Sequence, residues 1–174
     1  MNDRVSFSRQ ELTIEAVAAH HDNMKAALFE FFSSGSDALY ARFALENIIE
    51  ARENSLDELD LGSSMTVMAS LEAAIRVDYL TRVYERRKDE LSKAMRALHQ
   101  EKANKAKLEN DILTLWQDCT TISKGLIGQV KGAFKYRHWI AHGRYWTPKI
   151  GRAYDFDTLY ALADTFVNEM DAYA

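Results

Sequence analysis

The scarcity of proline and glycine is the feature that most limits how this chain can fold. The only proline is Pro148, and five of the seven glycines fall between positions 119 and 154. Over residues 1–118 only Gly35 and Gly62 interrupt the sequence. A β-sheet protein needs frequent turns, and turns draw on these two residue types. The sequence therefore predicts an all-α fold, with long helices joined by short connections.

Apolar residues recur at helical spacing, which predicts a single helical bundle of five or six helices. The first helix is expected to end near Phe32, and residues 1–35 form this N-terminal element. Ser8 and Glu11 have the spacing of a capping box at its start. A second helix is expected over residues 36–54, followed by a short acidic connection over residues 55–62 and then a long third helix.

The C-terminal half predicts the remaining helices. The long third helix continues into a charged helical extension, residues 85–107, which has almost no apolar face at its end. A short helix is expected to end near Trp116, and the next spans 121–143. The last runs from about residue 157 to residue 173. All 174 residues are assigned to one domain, because this length supports one core and not two.

Charge is unevenly distributed along the chain. Residues 119–154 carry seven basic and no acidic side chains, whereas the whole chain has a net charge of −4. Aromatic residues lie among these cations, which is typical of surfaces that bind a polyanion with stacked bases. The alternative is that this basic segment packs against the acidic helices of its own chain. The sequence leaves both interpretations open.

The sequence also predicts the compartment. One cysteine, Cys119, excludes an internal disulfide and favours a reducing environment. No apolar run reaches the ~20 residues of a membrane-spanning helix, and the N-terminal MNDRVSFSRQEL lacks the apolar core of a signal peptide. We expect a soluble cytoplasmic protein with no membrane partner.

The most informative segment for chemistry is Arg137-His138-Trp-Ile-Ala-His142-Gly143. At ~100° per residue His138 and His142 share one face of a helix, whereas Arg137 and His142 lie ~140° apart. Gly143 is a natural helix end. If the helix loosens there, the long side chain of Arg137 can reach the pocket of His142.

This segment resembles the R-x4-6-H motif of the HEPN superfamily, a group of nucleotide-associated helical bundles. A polar residue, here His138, commonly follows the motif arginine, and Ala141-His142-Gly143 is similar to the usual motif ending. The resemblance implies an HEPN-like bundle acting as a metal-independent endoribonuclease, often a toxin or antiphage effector. It also implies a homodimer in which two motif helices face each other. RNA is then the substrate, and an antitoxin protein is a possible partner.

The residue types suit this chemistry. RNA can be cleaved by its own 2′-OH, which needs a base that works near neutral pH, as imidazole does. Arginine binds a phosphate bidentately and stabilises the charge that develops on it. We assign general acid/base catalysis to His142, phosphate stabilisation to Arg137 and an orienting or assisting role to His138. No metal and no cofactor is predicted.

Further residues are expected to support this site. Glu72 or Asp78 either orients a motif side chain or lies at the edge of the long helix, with Glu72 pairing with Arg76 at i, i+4. Tyr145 lies three residues after His142. One toxin subgroup carries a tyrosine two residues after the motif histidine, which a partner antitoxin modifies; here Arg144 occupies that position.

The basic segment and the glycines predict the binding partners. Nucleic-acid binding is assigned to Lys131, Lys135 and Arg144. The small residues Gly125, Gly128 and Gly132 allow another backbone to approach closely. We therefore expect a homodimer with the 121–143 helix at or near its interface.

Three alternatives remain at this point. In the first, the chain is a non-catalytic helical module that binds nucleotide, RNA or a partner protein. In the second, it is a coiled-coil adaptor built on the 85–107 extension. The third alternative is a metal site on His138 and His142 at i, i+4. His20 and His21 are expected to lie on the surface of the first helix.

Overall fold

The computed structural model describes residues 4–173, which contain helices and no β-strand. The all-α prediction is confirmed. Seven α-helices lie within these residues, instead of the five or six expected. They are α1 (Ile14–Ser33), α2 (Asp37–Arg42), α3 (Ile48–Glu85), α4 (Glu90–Lys102), α5 (Leu113–Cys119), α6 (Lys124–Ala141) and α7 (Phe156–Asp171). A 3-10 turn (Ala103–Lys105) and a π turn (Leu108–Ile112) join α4 to α5.

The main correction to the expected helices concerns α3, which is continuous over 38 residues. Residues 55–62 were expected to form an acidic connection, but they are helical. Gly62 costs the helix only about 1 kcal/mol relative to Ala. Packing of α3 against α1 and α7 offsets that cost. The real break comes earlier, where Asn47 caps α3 by accepting hydrogen bonds from the backbone of Ile49 and Glu50.

The boundaries of two other elements also differ from expectation. Thr13 caps α1, so the first helix begins at Ile14 and not at the predicted capping box. The 85–107 segment is not one continuous helix, because α3 ends at Glu85 with Arg86 in the left-handed conformation (φ 54°). Asp89 then caps α4 by accepting a hydrogen bond from the backbone of Ser92.

The core forms around α3, which contacts α1, α4, α6 and α7. Its inner face carries Val67, Met68, Leu71 and Ile75, all fully buried. The facing helices contribute further buried side chains, among them Met95, Trp116, Ile127, Leu159 and Phe166. No helix of residues 4–173 has both the length and the apolar character that crossing a membrane requires.

His21 is buried, so the prediction that it lies on the surface is wrong, whereas His20 is exposed. The His21 ring stacks on Phe156 at a centroid distance of 3.9 Å. Its Nδ1 lies 3.0 Å from Ser63 Oγ, and its Nε2 lies 3.5 Å from Asp60 Oδ1. The imidazole therefore joins α1, α3 and the start of α7, and its polar atoms keep partners.

Arg82 is a fully buried cation in α3, with 1% of its side chain exposed. Its Nε donates to both carboxylate oxygens of Asp78 at 2.9 Å, and its Nη2 donates to the carbonyl of Tyr173 at 2.6 Å. The guanidinium lies 5.2 Å from the ring centroid of Trp116. Burial raises the pKa of Asp78 above its ordinary value, although the bonds from Arg82 act in the opposite direction. Arg82 thus ties the C-terminal end of the chain to α3 and α5.

Replacing Arg82 by methionine is expected to lower the free energy of unfolding by about 3–5 kcal/mol, because the carboxylate of Asp78 stays buried without its cation. Adding Asp78→Leu should restore most of the loss. Arg76→Met is the matched control, because Arg76 forms the same i, i+4 pair with Glu72 but is 40% exposed. Its cost should stay below about 1 kcal/mol. Urea denaturation measures all three, and equal costs for both arginines would contradict this account.

Candidate functional site

Helix α6 positions the motif residues. Ser123 caps it by accepting a hydrogen bond from the backbone of Leu126 at 3.3 Å. Its apolar side, with Ile127, Val130, Ala133 and Phe134, is buried in the core. The helix ends at Ala141 with His142 as its C-cap, because Gly143 (φ 77°) and Arg144 (φ 58°) are both in the left-handed conformation. The motif therefore lies on the last turn of α6.

His138 and His142 lie side by side and exposed at this end of α6. Their ring centroids are 4.2 Å apart. The indole of Trp146 lies 6.3 Å from the His138 ring and 6.4 Å from the His142 ring. Trp139 holds this arrangement by donating from its Nε1 to the carbonyl of Trp146 at 2.6 Å. We call His138, His142 and Trp146 the histidine cluster.

Arg137 points to another part of the molecule. Its Nη2 lies 3.9 Å from Glu72 Oε2 on α3, and Glu72 Oε1 accepts a hydrogen bond from Arg76 Nε at 2.8 Å. The Nε of Arg137 is buried without a hydrogen-bond partner among the described residues. Within one chain, Arg137 therefore contacts Glu72 of α3, whereas His142 contacts His138 and Trp146. Glu72 both pairs within α3 and faces the motif helix.

The two other supporting residues lie in different environments. Asp78 belongs to the buried pair with Arg82 and forms no hydrogen bond or ion pair with the motif residues among residues 4–173. Tyr145 is 83% exposed, and its ring meets that of Trp146 edge to face with centroids 4.6 Å apart. Tyr145 is therefore next to the histidine cluster, while Asp78 is a residue of the fold.

The predicted nucleic-acid-binding residues also separate. Arg144 is ion-paired with Glu58 at 2.7 Å, and Lys131 Nζ lies 3.3 Å from Thr114 Oγ1. Lys135 is exposed and has no ion pair among residues 4–173. Both interpretations of the basic segment thus apply to part of it, since some cations face acidic helices of the same chain and others face solvent.

A groove beside α6 was not foreseen from the sequence. Residues 146–154 run back along the helix and leave two adjoining cavities of about 450 and 330 Å³. The two share Lys135, Lys149 and Ile150. A Cβ on Gly132 would lie 2.7 Å from the hydroxyl of Tyr154, so the missing side chain admits this tyrosine. In the sequence, the glycines and cations of residues 119–154 were the signal for this groove. Only the fold shows that residues 146–154 run back along α6 and form it.

Comparison of the chain with protein-family models, with curated proteins and with solved structures found no match. Three or more histidine, cysteine or acidic side chains do not converge on a possible metal position anywhere in residues 4–173. The candidate site is therefore described by its geometry alone. It is an exposed pair of histidines at the C-terminal end of α6, a helix whose apolar side is buried in the core of an all-α bundle.

Gly143→Ala should lower the free energy of unfolding by about 1–2 kcal/mol, because alanine is strained at a positive φ. Gly128→Ala is the matched control. Gly128 lies within α6, and a Cβ there meets nothing within 4 Å. Alanine at that position should stabilise the helix by up to about 1 kcal/mol. Urea denaturation measures both, and effects of the same sign would refute this account of the helix end.

Proposed function

We propose that this protein is a metal-independent endoribonuclease of the HEPN type. The observation that carries the proposal is the exposed pair of imidazoles, His138 and His142, at the end of α6, in the segment that begins with the motif arginine. His142 is the general acid/base, and His138 assists it. Arg137 stabilises the phosphate, which must first displace the carboxylate of Glu72 from the guanidinium.

The reaction needs only groups that this site and the RNA supply. The 2′-oxygen of one nucleotide attacks the adjacent phosphorus, and the bond from phosphorus to the next 5′-oxygen breaks. An imidazole accepts the 2′-OH proton, and an imidazolium returns a proton to the leaving 5′-oxygen. The products are a 2′,3′-cyclic phosphate and a 5′-hydroxyl end. Negative charge grows on the phosphoryl oxygens, where a guanidinium stabilises it.

The divergence of Arg137 and His142 within one chain supports a homodimer. A two-fold axis at the end of α6 brings the same patch of both protomers together. Each His142 then approaches the partner's motif helix, and the two copies share one site. Tyr145, which is 83% exposed beside the histidine cluster, is suited to the interface.

A second candidate is a non-catalytic HEPN-like module that binds nucleotide, RNA or a partner protein. The contact of Arg137 with Glu72 favours it, because an arginine that faces a carboxylate of its own chain is partly withheld from a phosphate. A toxin or antiphage role with an antitoxin partner belongs to the first candidate, since it requires RNA cleavage.

The first test is cleavage of RNA by the purified protein in EDTA, which should proceed because the 2′-OH is the nucleophile. A substrate with a 2′-deoxy residue at the cut site should resist. His142→Ala should reduce the rate by about 10²–10⁴-fold through lost proton transfer. Arg137→Ala should reduce it by about 10²–10³-fold through lost phosphate stabilisation. Rates are measured on labelled RNA, with mass analysis of the new ends.

His20→Ala is the control, because His20 is an exposed histidine on α1. It should cleave at the wild-type rate. Activity that disappears in EDTA would count against this mechanism and favour a metal bound by the two motif histidines. Wild-type protein that leaves several RNAs intact would favour the non-catalytic module.

The homodimer should be visible by sedimentation at tens of micromolar protein. Tyr145→Glu should shift it to monomer, because the charge is placed at the proposed interface. Tyr40→Glu, on α2, is the matched control, since Tyr40 is 56% exposed but distant from the motif in sequence and element. A wild-type monomer, or equal effects of both variants, would overturn this interface.

A further inference from the structure

The groove beside α6 has an excess of positive charge. Its charged lining residues are Lys135, Lys149 and Arg152 against the single carboxylate of Glu109. Lys135 and Lys149 have no ion pair in the described part of the chain. Arg152 donates to the side-chain oxygen of Gln129 at 3.0 Å and lies 5.3 Å from the ring centroid of Tyr154; the exposed carboxylate of Asp155 lies within electrostatic range but forms no ion pair with it. These three cations are thus available to an anion, unlike Arg144 and Arg137.

The two ends of the groove differ in character. One end is lined by Gly125, Gly128 and Gly132, which leave the backbone of α6 open between the side chains of Gln129 and Lys135. The other end is lined by His138, Trp139, Trp146 and Pro148 beside Lys135 and Lys149. We call the two cavities together the basic groove. It thus combines basic side chains with aromatic ones, and it includes two residues of the histidine cluster, His138 and Trp146.

We propose that the basic groove binds one single strand of nucleic acid, with its phosphates at Lys149, Arg152 and Lys135. Cations that track a backbone, combined with aromatic side chains that stack on bases, are the usual means of binding single strands. Cavities of about 450 and 330 Å³ suit successive nucleotides of one strand. In a duplex the base faces are already stacked and unavailable to Trp146.

The groove runs along α6 toward the histidine cluster. Arg152 and the glycines lie toward the start of α6, and His138 lies at its end. A strand bound along the groove therefore leads to the histidine cluster. The identification of the strand as RNA rests on the proposed function, but binding in the groove does not require cleavage and is tested without it.

The probe is a labelled oligodeoxythymidine, which lacks a 2′-OH and cannot be cleaved by the proposed route. Lys149→Glu with Arg152→Glu should weaken its binding by about 20-fold or more at 0.1 M salt. The slope of log K against log salt should become about 1.4 shallower, since each phosphate contact on a single strand contributes about 0.7. Lys149→Arg alone should retain wild-type affinity.

Lys88→Glu with Lys93→Glu is the matched control, since it makes the same change in net charge at exposed positions outside the groove. It should leave most of the affinity in place. Binding should also quench tryptophan fluorescence, and Trp146→Phe should remove most of that quenching while the protein stays folded by circular dichroism.

Four outcomes would overturn the groove assignment. These are equal losses in the two double variants, unchanged binding in the Lys149/Arg152 variant, tighter binding of a duplex of the same length, and wild-type protein that does not bind the strand. Failure of the proposed function can be distinguished from failure of the groove assignment. If RNA is never cleaved but the groove variants lose binding, the groove stands and the nuclease does not. If RNA is cleaved but the Lys149/Arg152 variant binds the strand as tightly as the wild type, the nuclease stands and the groove does not.

Discussion

Burial of the apolar face of α3 is the interaction on which the rest of the structure depends. This helix contacts α1, α4, α6 and α7, and Met68, Leu71 and Ile75 on its inner face have no exposed surface. Close packing at these positions fixes where the other helices lie, since a dense core tolerates little change in volume. The position of α6, and with it the motif, follows from this contact.

Polar side chains of α3 then determine which motif residue faces inward. Glu72 lies between Arg76 and Arg137, so the motif arginine is directed to α3. Arg82 is held more strongly, because it is buried and bonded to Asp78. Arg76 and Arg82, both on α3, differ in how deeply they are buried. The Glu72–Arg76 pair is half-buried and keeps contact with solvent, whereas Arg82 is 1% exposed and its pair belongs to the core.

The turn that follows α6 positions both the histidine cluster and the basic groove. The left-handed backbone at Gly143 and Arg144 stops the helix, and the chain returns along it. That return creates the basic groove and places Trp146 against the two histidines. Nuclease activity and strand binding, as proposed, therefore share His138 and Trp146, and both depend on this turn.

The sequence by itself determined the all-α class and the placement of the motif at the end of a helix, because glycine, proline and apolar periodicity act locally. It named Glu72 and Asp78 as candidates to orient a motif side chain but could not choose between them, since the contact of Arg137 with Glu72 joins residues far apart in sequence. Burial of His21 and the continuity of α3 through Gly62 also required the fold, because packing by neighbouring helices overrides local propensity. Tertiary structure also determines which cations are accessible to solvent, because it pairs Arg144 with Glu58 and places Lys135 and Lys149 in the groove.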